Sequence, residues 1–201
     1  YAGTAGVFGP GWRAAFYGPN AGHADAALED NSAKGYVTLV DPDGTEELYN
    51  SSGGNTYTGQ NDTAAQGSVL TKNSATQYTL TEKDGTQTVY SQTSADVWGT
   101  TAVIQDSNTT AATTTSYTLD SAGRVTQILA PVPSGVSCAS PTTTPGCRTL
   151  QFSYATTTTA SGSALGDYAG QLKAVSFTSY DPATSEMTTV AVADYAYDVS
   201  G

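Results

Sequence analysis

The sequence predicts an all-β protein in which consecutive antiparallel β-hairpins form an extended, curved sheet with little or no helix. Of its 201 residues, 38% are hydrophobic and 12% charged, and 13 Tyr stand against four Phe and two Trp. Tyr suits a half-buried sheet surface, because its ring packs while its hydroxyl stays hydrated. The periodic Leu, Glu and Lys of long amphipathic helices are almost absent. The second observation is a repeated hairpin unit.

The clearest copy of that unit is the segment 36–49, where two runs of β-favouring residues flank the sequence Asp41-Pro42-Asp43-Gly44. Pro42 fixes φ at the first central position of a type I turn, and the Asp41 side chain can bond to the turn backbone. Gly44 can adopt the positive φ that closes such a turn with a bulge. The segment is therefore predicted to be a β-hairpin.

The unit recurs in residues 78–90 and 117–129. Its turn glycines lie roughly 40 residues apart, a spacing typical of strand repeats in which each hairpin needs neighbours to bury its apolar face. A further sequence of the same form closes the chain, and we expect the array to continue beyond it. The predicted turn residues are Asp41 with Gly44, Asp84 with Gly85, Asp120 with Gly123, and Asp198 with Gly201.

Two regions are predicted from composition. Residues 1–35, rich in Gly, Ala, Pro and Asn, form an opening segment in which Phe8 and Trp12 flank Gly9-Pro10-Gly11 and anchor a tight bend. Residues 36–201 form the hairpin region. Two further strands are predicted at Val97–Trp98 and Ala102–Gln105, on either side of a bend at Gly99. The remaining strands are predicted at Trp12–Tyr17, Val69–Leu70, Leu150–Tyr154, Gln171–Tyr180 and Met187–Tyr197. Residues 51–66 and 156–162 are predicted to be polar links, and the Thr-rich tract at 108–115 is either disordered or an edge strand.

The two cysteines, Cys138 and Cys147, enclose a loop rich in Pro and Thr. Two sulfurs are too few for a structural zinc site, and the only histidine, His23, is remote in sequence. We therefore expect a local disulfide; the alternative is two free thiols in an intracellular protein.

The formal net charge of −11 disfavours binding to a nucleic-acid backbone or to an anionic membrane surface, since both require clustered Lys and Arg. No apolar run approaches the roughly 20 residues that a membrane-spanning helix needs. We expect no nucleic-acid partner, no membrane insertion and no cofactor.

Catalytic chemistry finds little support in the sequence. His23 lies in a Gly- and Ala-rich loop near Asp25, without partners that would make it an acid or base. The carboxylates Asp41 and Asp43 are explained by turn chemistry, with a calcium site as the alternative. No Ser lies in a nucleophile-elbow context. We expect no enzyme activity and no catalytic or metal-binding residue.

Trp98 is the best candidate for a sugar-stacking aromatic, as in carbohydrate-binding modules, and its alternative role is packing against the sheet.

The order of these motifs resembles the rearrangement-hotspot (Rhs) or YD-repeat proteins. Phe8-Gly9-Pro10-Gly11-Trp12 looks like the motif that opens their repeat region. The sequence Asp120-Ser121-Ala122-Gly123-Arg124 is similar to their Tyr-Asp-x-x-Gly-Arg signature, with Leu119 where the Tyr would stand. Tyr197-Asp198-Val199-Ser200-Gly201 matches the first part of that signature. The insert that holds the cysteines looks like actinobacterial members.

The resemblance covers most of the chain and implies one strip of a hollow β-shell. Such a shell encloses a toxin domain or displays surface modules, so the implied partners are further repeats of the same chain and an enclosed toxin domain. The implied location is secreted or at the bacterial cell surface. The expected function is thus a non-catalytic scaffold, with a module that binds carbohydrate or a cell-surface partner as the alternative.

Overall fold

The structure is a computed structural model that describes residues 28–40, 46–61, 63, 65–95, 97–105 and 110–201, with Val97 described for its backbone alone. These residues form thirteen β-strands and one three-residue 3₁₀ helix, Ser32–Lys34. The predicted all-β class, with successive antiparallel strands and little helix, is confirmed. None of the described helical residues forms a segment long and apolar enough to cross a membrane.

The described chain divides into two compact units, residues 28–125 and 126–201. Strand order in the sheet is the chain order. The first unit holds β1 (Leu28–Glu29), β2 (Tyr36–Val40), β3 (Glu46–Gly53), β4 (Thr56–Gly59), β5 (Val69–Ser74), β6 (Gln77–Thr81), β7 (Gln87–Ser94), β8 (Val97–Ile104) and β9 (Thr114–Leu119). The strands that follow are β10 (Val125–Leu129), β11 (Thr149–Tyr154), β12 (Leu172–Asp181) and β13 (Glu186–Asp194).

The core of the first unit lies on one face of its strands. Residues directly opposite each other on paired strands share a face, and the register places Tyr57 opposite Leu70, Leu70 opposite Leu80, and Tyr78 opposite Tyr90. All five side chains are buried. Burial of a large apolar side chain stabilises by roughly 1.5–3 kcal/mol, so this face supplies the main stabilising free energy of the unit.

The sheet of the first unit curls. The curl is evident because β1, which pairs with β2, also lies close to β8. The curl brings Leu28 and Trp98 into one cluster of buried side chains. Trp98 is only 3% exposed, and its ring meets the Tyr78 ring edge-on at a centroid distance of 5.3 Å. Aromatic pairs favour this geometry.

Two local predictions in this unit are wrong. The segment 51–66, predicted to be a polar link, contains the end of β3 and all of β4, joined at Gly53 and Gly54, which both have positive φ. Tyr57 is the one large apolar residue in that stretch, too little for a periodic pattern, yet it is buried. The predicted bend at Gly99 is instead part of a continuous β8, where a Cβ at this position would collide with Leu119.

The second unit has a smaller core between β11 and β12. Phe152 lies opposite Val175, and both are buried. On the other face Thr149 lies opposite the fully buried Thr178, whose hydroxyl forms a 2.7 Å hydrogen bond with that of Thr189 on β13. The connection from β10 to β11 is closed by a disulfide between Cys138 and Cys147.

Candidate functional site

The turn from Asp120 to Arg124 shows the backbone geometry of the repeated unit. The N–H of Asp120 donates to the carbonyl of Arg124 (2.9 Å), and the N–H of Gly123 donates to the carbonyl of Asp120 (3.0 Å). Gly123 has φ of 79°, in the left-handed region that glycine adopts without steric cost. The turn is therefore closed by a glycine, and substitution of Gly123 would strain it.

The Asp120 carboxylate supports both the turn and the start of the next strand. Oδ1 accepts from the N–H groups of Ala122 (2.9 Å) and Arg124 (3.0 Å). Oδ2 accepts from Nε (2.8 Å) of the Arg124 guanidinium and lies 2.7 Å from its Nη2. Such two-point pairing is stronger and more directional than a single contact. This explains why the sequence places Asp four residues before Arg.

The turn from Asp198 to Gly201 repeats this pattern. Oδ1 of Asp198 accepts from the N–H of Ser200 (2.7 Å), and the N–H of Gly201 donates to the carbonyl of Asp198 (3.3 Å). Gly201 has φ of 87°. The preceding Tyr197 donates its hydroxyl to the carbonyl of Leu172 (2.6 Å), so the Tyr fastens the chain to β12 while the Asp reverses it.

The turn between β6 and β7 uses its aspartate differently. The N–H of Gly85 donates to the carbonyl of Glu82 (3.1 Å), and Gly85 has φ of 87°. Asp84 occupies the third turn position instead of the first, and its Oδ1 accepts from the N–H of Thr86 (2.8 Å). That backbone hydrogen bond lowers the pKa of Asp84. The backbone turn is thus kept while the carboxylate moves along it.

An ion pair that sequence reasoning missed joins β5 to the segment that follows β1. Lys72 on β5 donates to Oδ2 of Asp30 (3.0 Å) and to the hydroxyl of Ser32 (2.8 Å). Oδ1 of Asp30 accepts from the N–H of Ser32 (2.9 Å). The Lys72 ammonium also lies 5.2 Å from the centre of the Tyr78 ring, within the range of a cation–π interaction. The group fixes the segment after β1 to the buried tyrosines.

The surroundings hold this pair in its charged form. Burial alone would raise the pKa of Asp30, but the hydrogen bonds from Ser32 and Lys72 outweigh it and lower the pKa to about 2. Burial would lower the pKa of Lys72, yet Tyr78 and Asp30 together raise it. Both groups are therefore ionised at neutral pH, and Lys72 is unsuited to act as a nucleophile.

The outer edge of β13 is the most unusual surface among the described residues. β13 pairs with β12 from Glu186 to Asp194, with a bulge that leaves Val192 without an opposite residue, and no other strand of the described chain pairs with β13. Val190 is 51% exposed and Val192 57% exposed. Among the described residues, the exposed large hydrophobic side chains all lie between residues 165 and 199, and they are Leu165, Tyr180, Val190, Val192 and Val199. Exposed apolar residues grouped beside an unpaired strand edge indicate an interaction surface.

A cavity of about 310 Å³ lies in the second unit, where β10, β11 and β12 approach each other. Its lining offers hydroxyls and one amide but no titratable side chain, so it holds no acid or base for catalysis. The lining residues are Thr126, Gln151, Phe152, Ser153, Ala174 and Ser176.

The sequence-predicted site residues have different outcomes. Cys138 and Cys147 form the expected disulfide, with their Cα atoms 5.8 Å apart. Trp98 is buried, so its ring face is not available to stack on a sugar. In the described part of the chain, no group of His, Cys, Asp and Glu could hold a metal ion. Several predicted residues lie outside the described residues, and they are Phe8, Trp12, His23, Asp25, Asp41, Asp43 and Gly44.

No family model matches the chain, and no curated protein or solved structure is significantly similar to it.

Proposed function

We propose that the chain is a structural scaffold without catalytic chemistry of its own, one strip of an Rhs or YD-repeat β-shell that encloses or displays toxin or surface domains. The disulfide fits an oxidising compartment, so the proposed location is secreted or at the cell surface of a bacterium. The observation that carries the proposal is the recurrence of one turn at Asp120 and Asp198, each closed by a glycine with positive φ.

The first of these turns leads through Arg124 directly into β10, which begins at Val125. The same reversal at Asp198 would direct a following strand back along the open edge of β13. That strand would cover Val190 and Val192, and it would pair the backbone groups that β13 leaves without a partner strand among the described residues. The open edge is thus proposed as the junction with the next repeat.

A grafted strand tests this proposal. A copy of Arg124–Leu129 is added after Gly201, and the control carries Pro in place of the Val and Ile of the graft, since Pro cannot donate to a sheet ladder. We expect the first graft to slow hydrogen exchange of the amides in Glu186–Asp194 and to raise the free energy of unfolding by about 1–2 kcal/mol, because it buries two half-exposed valines. Equal protection by the two grafts, or none by either, would contradict the scaffold proposal.

A further inference from the structure

The charged side chains near the open edge of β13 are all carboxylates. The segment 174–201 contains four carboxylates and no Lys, Arg or His. Two of the four, Asp181 and Asp198, bond to backbone N–H groups of their own turns. The other two, Glu186 and Asp194, stand at opposite ends of β13 and are both exposed. Between them lie seven uncharged residues, which include Val190 and Val192.

This arrangement disfavours a second copy of the chain as the occupant of the edge. Two β13 strands paired antiparallel over their full length about a two-fold axis would place Val190 opposite Val190, since it is the central residue of Glu186–Asp194. Glu186 of each copy would then face Asp194 of the other. Like charges directly opposite each other destabilise a strand pair, and each copy brings a net charge of −11 to the contact.

We propose that the β13 edge selects its partner strand by charge, and that it accepts an extended polypeptide strand with an uncharged, β-branched centre and a basic residue at each end. This inference rests on the proposed function, because it concerns the same edge. Strand addition gives affinity through the main chain and specificity through side chains. Here the valines supply the apolar contact, and Glu186 and Asp194 supply the specificity.

The separation of the two carboxylates sets the length of the partner. Nine residues of an antiparallel strand rise about 3.4 Å each, so the two ends of β13 are roughly 27 Å apart. A strand of about nine residues with a Lys near each end spans this distance in either direction. The flexible Lys side chains let the two ammonium groups reach carboxylates that the bulge at Val192 places on opposite faces of the sheet. A shorter strand would reach one carboxylate alone.

Three synthetic nonapeptides with blocked ends test the proposal on the full 201-residue chain. They share a centre of alternating Thr and Val and end in Lys, Gln or Glu at both positions. We expect the Lys-ended peptide to bind on the order of tenfold more tightly than the Glu-ended one at low salt. The preference should fall to less than about twofold at ~1 M salt, where the Debye length is about 3 Å. Fluorescence anisotropy measures the affinity, and hydrogen exchange of Glu186–Asp194 identifies the site.

A double variant isolates the two carboxylates. Glu186→Gln with Asp194→Asn should remove the preference for Lys over Glu, while the affinity for the Gln-ended peptide stays within about twofold of the original chain. The matched control is Glu46→Gln with Asp84→Asn, which changes the net charge equally in the first unit and should leave the preference intact.

The outcomes separate the two proposals. Equal affinity of the three peptides, a preference for Glu ends, or no binding by any peptide overturns the charge selection. In each of those cases a grafted strand that still protects β13 leaves the scaffold proposal standing. If neither graft nor peptide protects β13, both proposals fail.

Discussion

At the scale of single residues, the repeated turn depends on one carboxylate that does several things at once. Asp120 accepts two backbone N–H groups and pairs with the Arg124 guanidinium. Its counterpart Asp198 makes the same contact to the second residue after it. The turn is thus stabilised by a side chain as well as by the backbone bond to the glycine.

Replacement of Asp120 tests this role. We expect Asp120→Ala to lower the free energy of unfolding by about 1–2 kcal/mol, because two N–H groups and a cation lose their acceptor. Asp120→Asn keeps an oxygen for the backbone and should cost about half as much. Urea denaturation followed by far-ultraviolet circular dichroism measures both. An alanine variant as stable as the original chain would mean that the turn is held by its glycine alone.

A second single-residue effect should appear in acid. The folded-state pKa of Asp30 is lowered from 3.8 to about 2, so its contribution to stability is present above pH 4 and is lost as the pH falls from about 4 to 2. The lost contribution is about 1–2 kcal/mol, which allows for partial exposure. Asp30→Asn lacks this titration.

The measurement is the difference in unfolding free energy between the original chain and Asp30→Asn at pH 6, 4, 3 and 2. We expect a constant difference down to about pH 4 and a progressive decrease below it. A difference that does not change with pH would show that the ionised Asp30 carboxylate, with its bonds to Ser32 and Lys72, does not stabilise the fold.

At the scale of elements, each connection has its own device for holding adjacent strands together. The reversals at Asp84, Asp120 and Asp198 use glycine and aspartate, whereas the long connection from β10 to β11 uses a disulfide. Within that connection Cys147 is buried, while Thr143 and Pro145 beside it are exposed. The disulfide thus fastens an exposed loop through a buried sulfur.

Although the loop that it closes is short, loss of this disulfide should lower the free energy of unfolding markedly. A loop closed by nine residues of separation restricts the unfolded chain by about 2–3 kcal/mol in chain-entropy theory. We expect Cys138→Ala with Cys147→Ala to lower the free energy of unfolding by that amount. Addition of a reductant to the original chain should reproduce the effect and leave the double variant unchanged. A reductant that destabilises both would indicate damage elsewhere.

At the scale of the whole molecule, the net negative charge opposes association between copies of the chain, whereas the open strand edge favours it. The chain carries a net charge of −11, and repulsion of this kind keeps copies apart in solution. The isoelectric point of the sequence is about 4.1, so near pH 4 the net charge of the chain is close to zero. The exposed valines of β13 then meet no repulsion from a second copy.

We therefore expect the chain to be monomeric at pH 7 and to associate near pH 4. Val192→Lys should reduce the association, because a charged side chain on an edge strand is a common block to pairing. Size-exclusion chromatography with light scattering measures the mass at each pH. The control is Lys in place of the exposed Ala183, which is off the strand edge, and it should associate like the original chain. Association at pH 4 that is equal in both variants would exclude β13 as the contact.

The features that could be predicted from the sequence are those that depend on residues close together in the chain. The all-β class and the hairpin at Asp120 follow from turn chemistry and from a Tyr-rich composition. The pairing of Lys72 with Asp30 spans 42 residues and depends on the curl of the sheet, for which no local pattern exists. Burial of Trp98 has the same origin, since an isolated Val-Trp-Gly sequence does not reveal which face of the strand is covered.

Strand order that follows chain order has a genetic consequence. Because β2 through β8 each hydrogen-bond to the strands immediately before and after them in the sequence, an in-frame duplication or loss of two successive strands re-forms the same kind of neighbour contact at the new boundary. Unequal recombination between repeats could therefore lengthen or shorten such a gene without requiring compensating mutations elsewhere in the chain.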